Sequence, residues 1–257
     1  MKLKNLLSLN KFYMKLNSQK KNIILTGING SLGFGVYQRF KKKYNIIGID
    51  KGKKKINFDN FYKIDLTKEA SVIFFFNYLH KKKIHISYII NCAGYFDNQP
   101  IISTKNGKFY PHNLNFFNKI FKTNFVSTFL VTVNYLAYLM NLRKKGVIIN
   151  FSSISSKGNP GQVAYGISKK SIEMLNIFFS NEALNKFLRI NVISPGFIDV
   201  ESTKKILGKT KIELIKKNTP SNNLVNEKNI YNTIEFIMKN KNINSQVINV
   251  DDGYKIY

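Results

Sequence analysis

The chain has 257 residues, 44% of them hydrophobic, enough to bury a sizeable core without covalent staples. Its single cysteine, Cys92, excludes a disulfide framework and argues against a cysteine-built zinc site. The 41 Lys and Arg outnumber the 14 Asp and Glu, for a net charge of +27. Only Arg39, Arg143 and Arg189 are arginines. Dedicated phosphate and base readers favour the bidentate Arg fork, so the lysine excess argues against a specialised nucleic-acid binder.

Residues 1–21 place Leu3, Leu6, Leu7, Leu9, Phe12 and Leu16 among lysines, and the first acid in the chain is Asp50. A basic, amphipathic, acid-free start resembles a transit peptide to a mitochondrion or other organelle. The alternative is a disordered basic tail on a cytoplasmic protein. The expected division is a tail or leader over residues 1–20 and one folded domain over residues 21–257. No apolar run reaches the roughly 18 residues of a membrane-spanning helix, so no membrane span is expected.

The first apolar run, Asn22–Thr26, leads into a glycine-rich stretch and a helical segment ending near Lys43. A second run covers residues 44–50, and a short strand ends near Thr67, which is placed to cap the next helix. Residues 87–91 read as a strand. Residues 95–112, with Gly107 and two prolines, read as an irregular excursion. A long helix is expected over residues 114–143, a strand over 146–151, a helix over 165–184 and a strand over 189–193. A polar region runs to about Asn223, followed by a last helix over 227–240 and a last strand over 246–250. Continuous apolar strands alternating with helices predict an α/β fold, a Rossmann-like doubly wound parallel sheet in a single domain.

The stretch Thr26-Gly27-Ile28-Asn29-Gly30-Ser31-Leu32-Gly33 lies between a strand and a helix. Glycines there permit a tight turn and close approach of the backbone to a pyrophosphate at the helix N-terminus. Asp50 closes the second strand about 20 residues on, where a carboxylate accepts from an adenosine ribose and repels a 2′-phosphate. That favours NAD over NADP, although Lys51 follows and could accommodate such a phosphate. Tyr165 and Lys169 lie one helical turn apart on the same face. A nearby ammonium favours the phenolate and brings a phenol closer to the working pH. Ser152 and Ser153 end the preceding strand, where a hydroxyl can bind a substrate oxygen; Ser153 is the preferred candidate.

Taken together, residues Thr26 to Gly33, Asn91-Cys92-Ala93-Gly94, Asn124, Ser153, Tyr165/Lys169 and Pro195-Gly196 resemble the short-chain dehydrogenase/reductase superfamily from about Lys20 onward. The resemblance implies that Tyr165 transfers the proton at the substrate oxygen. Lys169 lowers its pKa and binds the nicotinamide ribose. Ser153 orients the carbonyl, and Asn124 holds a water linking Lys169 to solvent. It implies a cofactor site of Gly27, Ser31, Leu32, Gly33, Asp50, Asp65, Leu66, Asn91, Ala93, Gly94, Pro195, Gly196 and Ile198 in addition to Tyr165 and Lys169, with no metal. Two departures stand out. Ser31 replaces the middle glycine of the loop, with Gly30 one place earlier, which predicts a rearranged turn. Val200 stands where a threonine usually follows Pro-Gly.

Within the superfamily, the insertion after residues 90–94 and the chain's final segment resemble type 2 3-hydroxyacyl-CoA dehydrogenases. This implies NAD-dependent interconversion of 3-hydroxyacyl-CoA and 3-oxoacyl-CoA by a homotetramer in fatty acid metabolism. The alternative enzyme is a 3-oxoacyl-[acyl-carrier-protein] reductase, which Gly158-Asn159-Pro160-Gly161-Gln162 resembles and which implies NADPH and an acyl-carrier-protein substrate; Asp50 and the excursion argue against it. The alternative from another class is a retained fold acting as a binding or RNA-processing assembly subunit. The complete Asn124, Ser153, Tyr165 and Lys169 set argues for an enzyme. His80, His85 and His112 show no ligand spacing, and Phe74 to Phe76 are expected in the core.

Overall fold

A computed structural model describes residues 14–54, 58–182 and 186–254. Seven strands, β1 (Asn22–Thr26), β2 (Asn45–Asp50), β3 (Phe61–Lys63), β4 (Tyr88–Asn91), β7 (Gly146–Phe151), β8 (Leu188–Pro195) and β9 (Val247–Val250), form one sheet in the order β3-β2-β1-β4-β7-β8-β9. Every pairing in it is parallel. Parallel strands need crossovers, and helices supply them on both faces.

The two faces carry separate cores. Ile24, Ile89 and Ile148 point to one face, against Val72, Phe75 and Leu79 of α2 (Glu69–Lys81) and residues of two further helices. Those are Leu130 and Tyr135 of α4 (Ser127–Leu142) and Leu175 and Phe179 of α5 (Val163–Asn181). Ile23, Leu25, Ile90 and Ile149 point to the other face, against Val36 and Phe40 of α1 (Ser31–Phe40) and Ile230, Ile234 and Ile237 of α7 (Glu227–Lys239). Two-residue alternation along buried strands thus serves two layers at once. Each fully buried Ile, Leu or Phe contributes roughly 1.5–3 kcal/mol.

Several boundaries differ from the sequence expectation. The body begins before Lys20: Met14 and Leu16 pack against the first core. Lys15 and Asn60 exchange two hydrogen bonds, Lys15 N to Asn60 Oδ1 (2.9 Å) and Asn60 Nδ2 to Lys15 O (3.0 Å). Residues 14–20 are therefore part of the folded body, whereas residues 1–13 of the expected leader lie outside the described residues. Thr67 does not cap α2. Its N–H and hydroxyl both donate to Asp65 Oδ1, and Lys68 occupies the cap position without a side-chain bond. The excursion contains an antiparallel hairpin, β5 (Ile102–Lys105) with β6 (Lys108–Pro111), turned by Asn106 and Gly107 at positive φ. The expected end of α5 at residues 183 and 184 also lies outside the described residues. The polar region before Asn223 holds a helix, α6 (Glu201–Lys217), kinked at Gly208 (φ 72°).

The long helix expected over residues 114–143 is present but not uniform. It consists of α3 (Leu114–Phe121), a π turn at Lys122–Val126 and α4. Residues Leu114–Leu142 are long and apolar enough to cross a membrane by length and composition. Half of that apolar window is buried inside the protein, with Tyr135 and Leu139 fully enclosed against the sheet.

Candidate active site

The sheet order turns in opposite directions on either side of the β1–β4 pair, which opens a crevice at the strand C-termini. A ladder of side chains braces this edge. Thr26 Oγ1 donates to Asn91 Oδ1 (3.3 Å) and Asn91 Nδ2 donates to Asn150 Oδ1 (2.8 Å), across β1, β4 and β7. Ala93 N donates to Thr26 Oγ1 (3.1 Å), which ties the turn after β4 to the end of β1.

Two glycines make the crevice tight. Gly27 has φ +66°, and a Cβ on it would meet the Ala93 backbone at 2.7 Å. A Cβ on Gly33 would lie 2.2 Å from Gly27 O. Ser31 is the first residue of α1, with no positive φ, and Gly30 before it is the extended cap residue. Gly30 has no side chain to cap α1, so the N-terminal N–H groups of this helix remain available to an anion.

Asp50 ends β2 beside this loop. Its Oδ2 accepts from Asn29 N (3.1 Å) and its Oδ1 from Gly52 N (2.9 Å). A small cavity there is lined by Gly27, Asp50, Asp65, Leu66, Ala93 and Gly94. A second cavity, of about 300 Å³, runs on from Ser31, Leu32 and Gly33 to Ser153, Tyr165, Lys169, Pro195, Gly196 and Ile198. The expected cofactor residues are thus gathered in two adjoining cavities, except Asn91, which lies beneath them in the ladder. Glycines that exclude side chains, a free helix N-terminus and a carboxylate on the second strand together fit a dinucleotide.

At the far end, α5 presents Tyr165 and Lys169 on one face. Lys169 Nζ donates to Phe151 O (2.9 Å) and lies 5.6 Å from the centre of the Tyr165 ring. Burial lowers the Lys169 ammonium to about 8, and Cys92 opposes the shift. Burial raises the Tyr165 phenol to about 12, against the pull of a side-chain hydrogen bond with Ser153. The Phe96 ring meets Tyr165 edge-on at 4.9 Å between centres.

The two candidate serines separate clearly. Ser152 is buried, and its Oγ donates to Glu173 Oε1 (2.6 Å). Ser153 faces the Tyr165 hydroxyl and caps the 3-10 turn Ile154–Lys157. Asn124 sits in the π turn and is fully buried. Its Oδ1 accepts from Tyr95 N (2.6 Å), and its Nδ2 donates to Tyr95 O (3.0 Å) and Ser168 Oγ (3.1 Å). Its side chain thus locks the turn after β4 to α5. Hydroxyls one turn on bond back to the carbonyls of the π turn: Ser127 Oγ donates to Thr123 O and Thr128 Oγ1 to Asn124 O.

The structure adds residues that the sequence did not single out. Ser168 is fully buried and bridges Asn124 to Tyr165 O (2.7 Å). Phe96, Phe197, Thr203, Ile206 and Leu207 line the cavity in front of Tyr165. The last three come from α6, whose position in space no local motif announces. Val200 also lines this cavity, as the cap residue of α6.

The fold and site define a nicotinamide-dependent oxidoreductase, and the chain belongs to the short-chain dehydrogenase/reductase superfamily. Residues 44–255 match the family model described as enoyl-(acyl carrier protein) reductase. Over 249 residues the chain is 27% identical to a 3-oxoacyl-[acyl-carrier-protein] reductase of Buchnera aphidicola subsp. Schizaphis graminum, covering 91% of this chain and 97% of that one. It is 26% identical over 196 residues to the human protein of that name, covering 76% and 77%. Among solved structures, ElxO with NADP bound superposes with a TM-score of 0.79 at 25% identity, covering 91% and 98%. The fold of 4-hydroxyisoleucine dehydrogenase complexed with NADH superposes at 0.80 with 23% identity, covering 91% of this chain and 98% of that one.

Proposed function

We propose that the protein reversibly reduces 3-oxoacyl thioesters to 3-hydroxyacyl thioesters, with NADH as cofactor and acyl carrier protein as the favoured carrier. One observation carries this reading: an apolar cavity of Phe96, Phe197, Ile206 and Leu207 converges on Tyr165 and Ser153, so an acyl chain can hold a carbonyl against a hydroxyl pair. The relatives named 3-oxoacyl-[acyl-carrier-protein] reductase support the substrate class. The Asp50 carboxylate supports NADH, because it repels a 2′-phosphate.

Gly27, Ser31, Leu32, Gly33 and Asp50 would hold the dinucleotide, and Lys169 its nicotinamide ribose. The substrate carbonyl carbon would accept the hydride that a nicotinamide held there would supply. Ser153 donates a hydrogen bond to the carbonyl oxygen, and Tyr165 gives that oxygen its proton. The Lys169 ammonium stabilises the resulting phenolate until solvent reprotonates it. Asn124 acts by fixing α3, α4 and α5 around this pair.

A coenzyme A thioester, as in 3-hydroxyacyl-CoA dehydrogenases, is the second reading, and the insertion at residues 95–112 favours it. The test follows NADH and NADPH oxidation with acetoacetyl-CoA and with acetoacetyl-acyl carrier protein. Preference for the carrier-protein thioester with NADH supports the proposal; preference for acetoacetyl-CoA selects the second reading. No turnover with either thioester overturns both.

Self-association belongs to the same proposal. Phe129, Ile167, Met174 and Phe178 are exposed along α4 and α5, beside a groove floored by Phe125, Val133 and Leu175. A contiguous apolar face of this kind marks an interface, and two copies of the chain would cover it. Phe178→Glu is expected to lower the mass measured by light scattering to that of a smaller assembly.

A further inference from the structure

The turn that presents Ser153 is gripped from both sides by one carboxylate. Glu173 lies on α5, two helical turns beyond Tyr165, and is 7% exposed. Its Oε1 accepts from Ser152 Oγ (2.6 Å) and from Ser156 Oγ (2.7 Å). Its Oε2 accepts from Lys170 Nζ (2.8 Å). Ser152 and Ser156 flank Ser153 in the chain, yet Ser153 itself makes no bond to Glu173. The turn is held to α5 at a second point, where Ser155 Oγ donates to Gln162 Oε1 (2.5 Å) just before Tyr165. Ser153 Oγ accepts from Ser155 N (3.2 Å), so the two holds meet at the hydroxyl that faces Tyr165.

We propose that Glu173 is a positioning residue that sets the reach between Ser153 and Tyr165 by clamping the serine turn to the helix that carries the tyrosine. The proposal rests on the acid–base reading of that pair. Both hydroxyls converge on the same oxygen, so the clamp needs an acceptor at Oε1 rather than a negative charge. Burial pushes the Glu173 carboxyl up, but bonds from Lys170, Ser152 and Ser156 together hold it below the ordinary glutamate value. The charge itself is answered by Lys170, at the other carboxylate oxygen, Oε2. Without the carboxyl group, Ser156 Oγ loses this acceptor and Ser152 Oγ keeps only its longer bond to Lys169 O (3.3 Å), so the turn is released from the side chain that joins its two ends.

The chemistry makes a distinctive forecast. Glu173→Gln keeps an oxygen for Ser152 and Ser156 and is expected to hold kcat within about threefold of the parent. Glu173→Ala is expected to lower kcat about 10- to 100-fold, the scale set by a small misplacement of reacting groups, with KM for NADH unchanged. In a Ser153→Ala background, Glu173→Ala is expected to cost little more, because both changes act through the same hydroxyl. An equal loss in both backgrounds, or a Gln variant as poor as the Ala variant, overturns the proposal.

A readout free of substrate separates this from the reading of the reaction. The 13Cζ resonance of Tyr165, assigned by its loss in Tyr165→Phe, reports the surroundings of its hydroxyl, which Ser153 faces. It is expected to move alike in Ser153→Ala and Glu173→Ala and to return in Glu173→Gln. A resonance unmoved by Glu173→Ala overturns the clamp whatever the substrate proves to be. If Glu173→Ala does not fold, Ser156→Ala serves in its place, with a smaller shift in the same direction expected and no shift counting against the proposal.

Discussion

Lys169 Nζ lies 5.6 Å from the centre of the Tyr165 ring and donates to Phe151 O at 2.9 Å, so the ammonium is enclosed between that ring and the end of a central strand. Enclosure shifts both groups in directions with opposite consequences. Lys169 falls from 10.5 to about 8. Below pH 8 both folded and unfolded chains hold its proton, and the folded state bears the full cost of burying the charge. Between about pH 8 and 10.5 the folded state sheds the proton first, the unfolded chain binds more protons, and stability rises with pH. Tyr165 rises from 10.0 to about 12, so between those values the folded state keeps its proton longer and stability falls. Denaturant unfolding at pH 7 and at pH 9.5 is expected to show less gain with pH in Lys169→Met than in the parent. Equal pH dependence in the two proteins would mean that the ammonium is not enclosed in solution.

The two serines at the end of β7 are expected to differ in consequence because only one faces the phenol. Ser153→Ala and Tyr165→Phe should each lower kcat strongly, Tyr165→Phe by about 100- to 10,000-fold, the usual contribution of a general acid. NADH affinity, read by fluorescence titration, should stay near that of the parent in both. Ser152→Ala leaves Ser156 on Glu173 and is expected to lose far less. A larger loss for Ser152→Ala than for Ser153→Ala would reverse the assignment.

Asp50 is fixed by Asn29 N and Gly52 N rather than left free to turn away, so its charge stays at the edge of the dinucleotide cavity. Asp50→Ser is expected to improve kcat/KM for NADPH relative to NADH by about tenfold or more, equivalent to roughly 1.4 kcal/mol or above. The neighbouring Lys51 would then face a 2′-phosphate without a competing carboxylate. A ratio that does not change would remove the main support for NADH.

Much of the site was legible because its parts are local. Residues Thr26 to Gly33, Asn91 to Gly94 and the Tyr165/Lys169 pair are short strings whose geometry follows from a strand end or one helical turn. Ser152 and Ser153 both follow β7, and the strand end alone does not separate them; the partners of their hydroxyls do. What escaped was tertiary. The π turn at Asn124 interrupts a run whose apolar pattern reads as one helix, and the bonds Asn124 makes there reach Tyr95 and Ser168 from elsewhere in the chain. Glu173 looks like a solvated acid beside Lys170 until the serine turn is folded over it. The expected tail boundary failed because Met14 and Leu16 sit among lysines but reach the core. Helix α6 was missed because Gly208 breaks it and many of its residues are polar and exposed, so no apolar stripe marks it.

That helix also begins poorly, which makes the departure at Val200 testable on physical grounds alone. Val200 has the extended backbone of a cap residue (φ −132°, ψ 155°), but its side chain offers no acceptor to the first N–H groups of α6. A threonine in the same backbone conformation can accept one of them, and caps of this kind contribute about 0.5–2 kcal/mol. Val200→Thr is therefore expected to raise the midpoint of thermal unfolding by a few degrees. Because Thr203, Ile206 and Leu207 on this helix line the cavity, firmer seating of α6 should also lower KM for the thioester while leaving kcat within about twofold. An unchanged midpoint would show that the N-terminal turn of α6 does not contribute to global stability, and an unchanged KM would show that the helix does not close on the acyl chain.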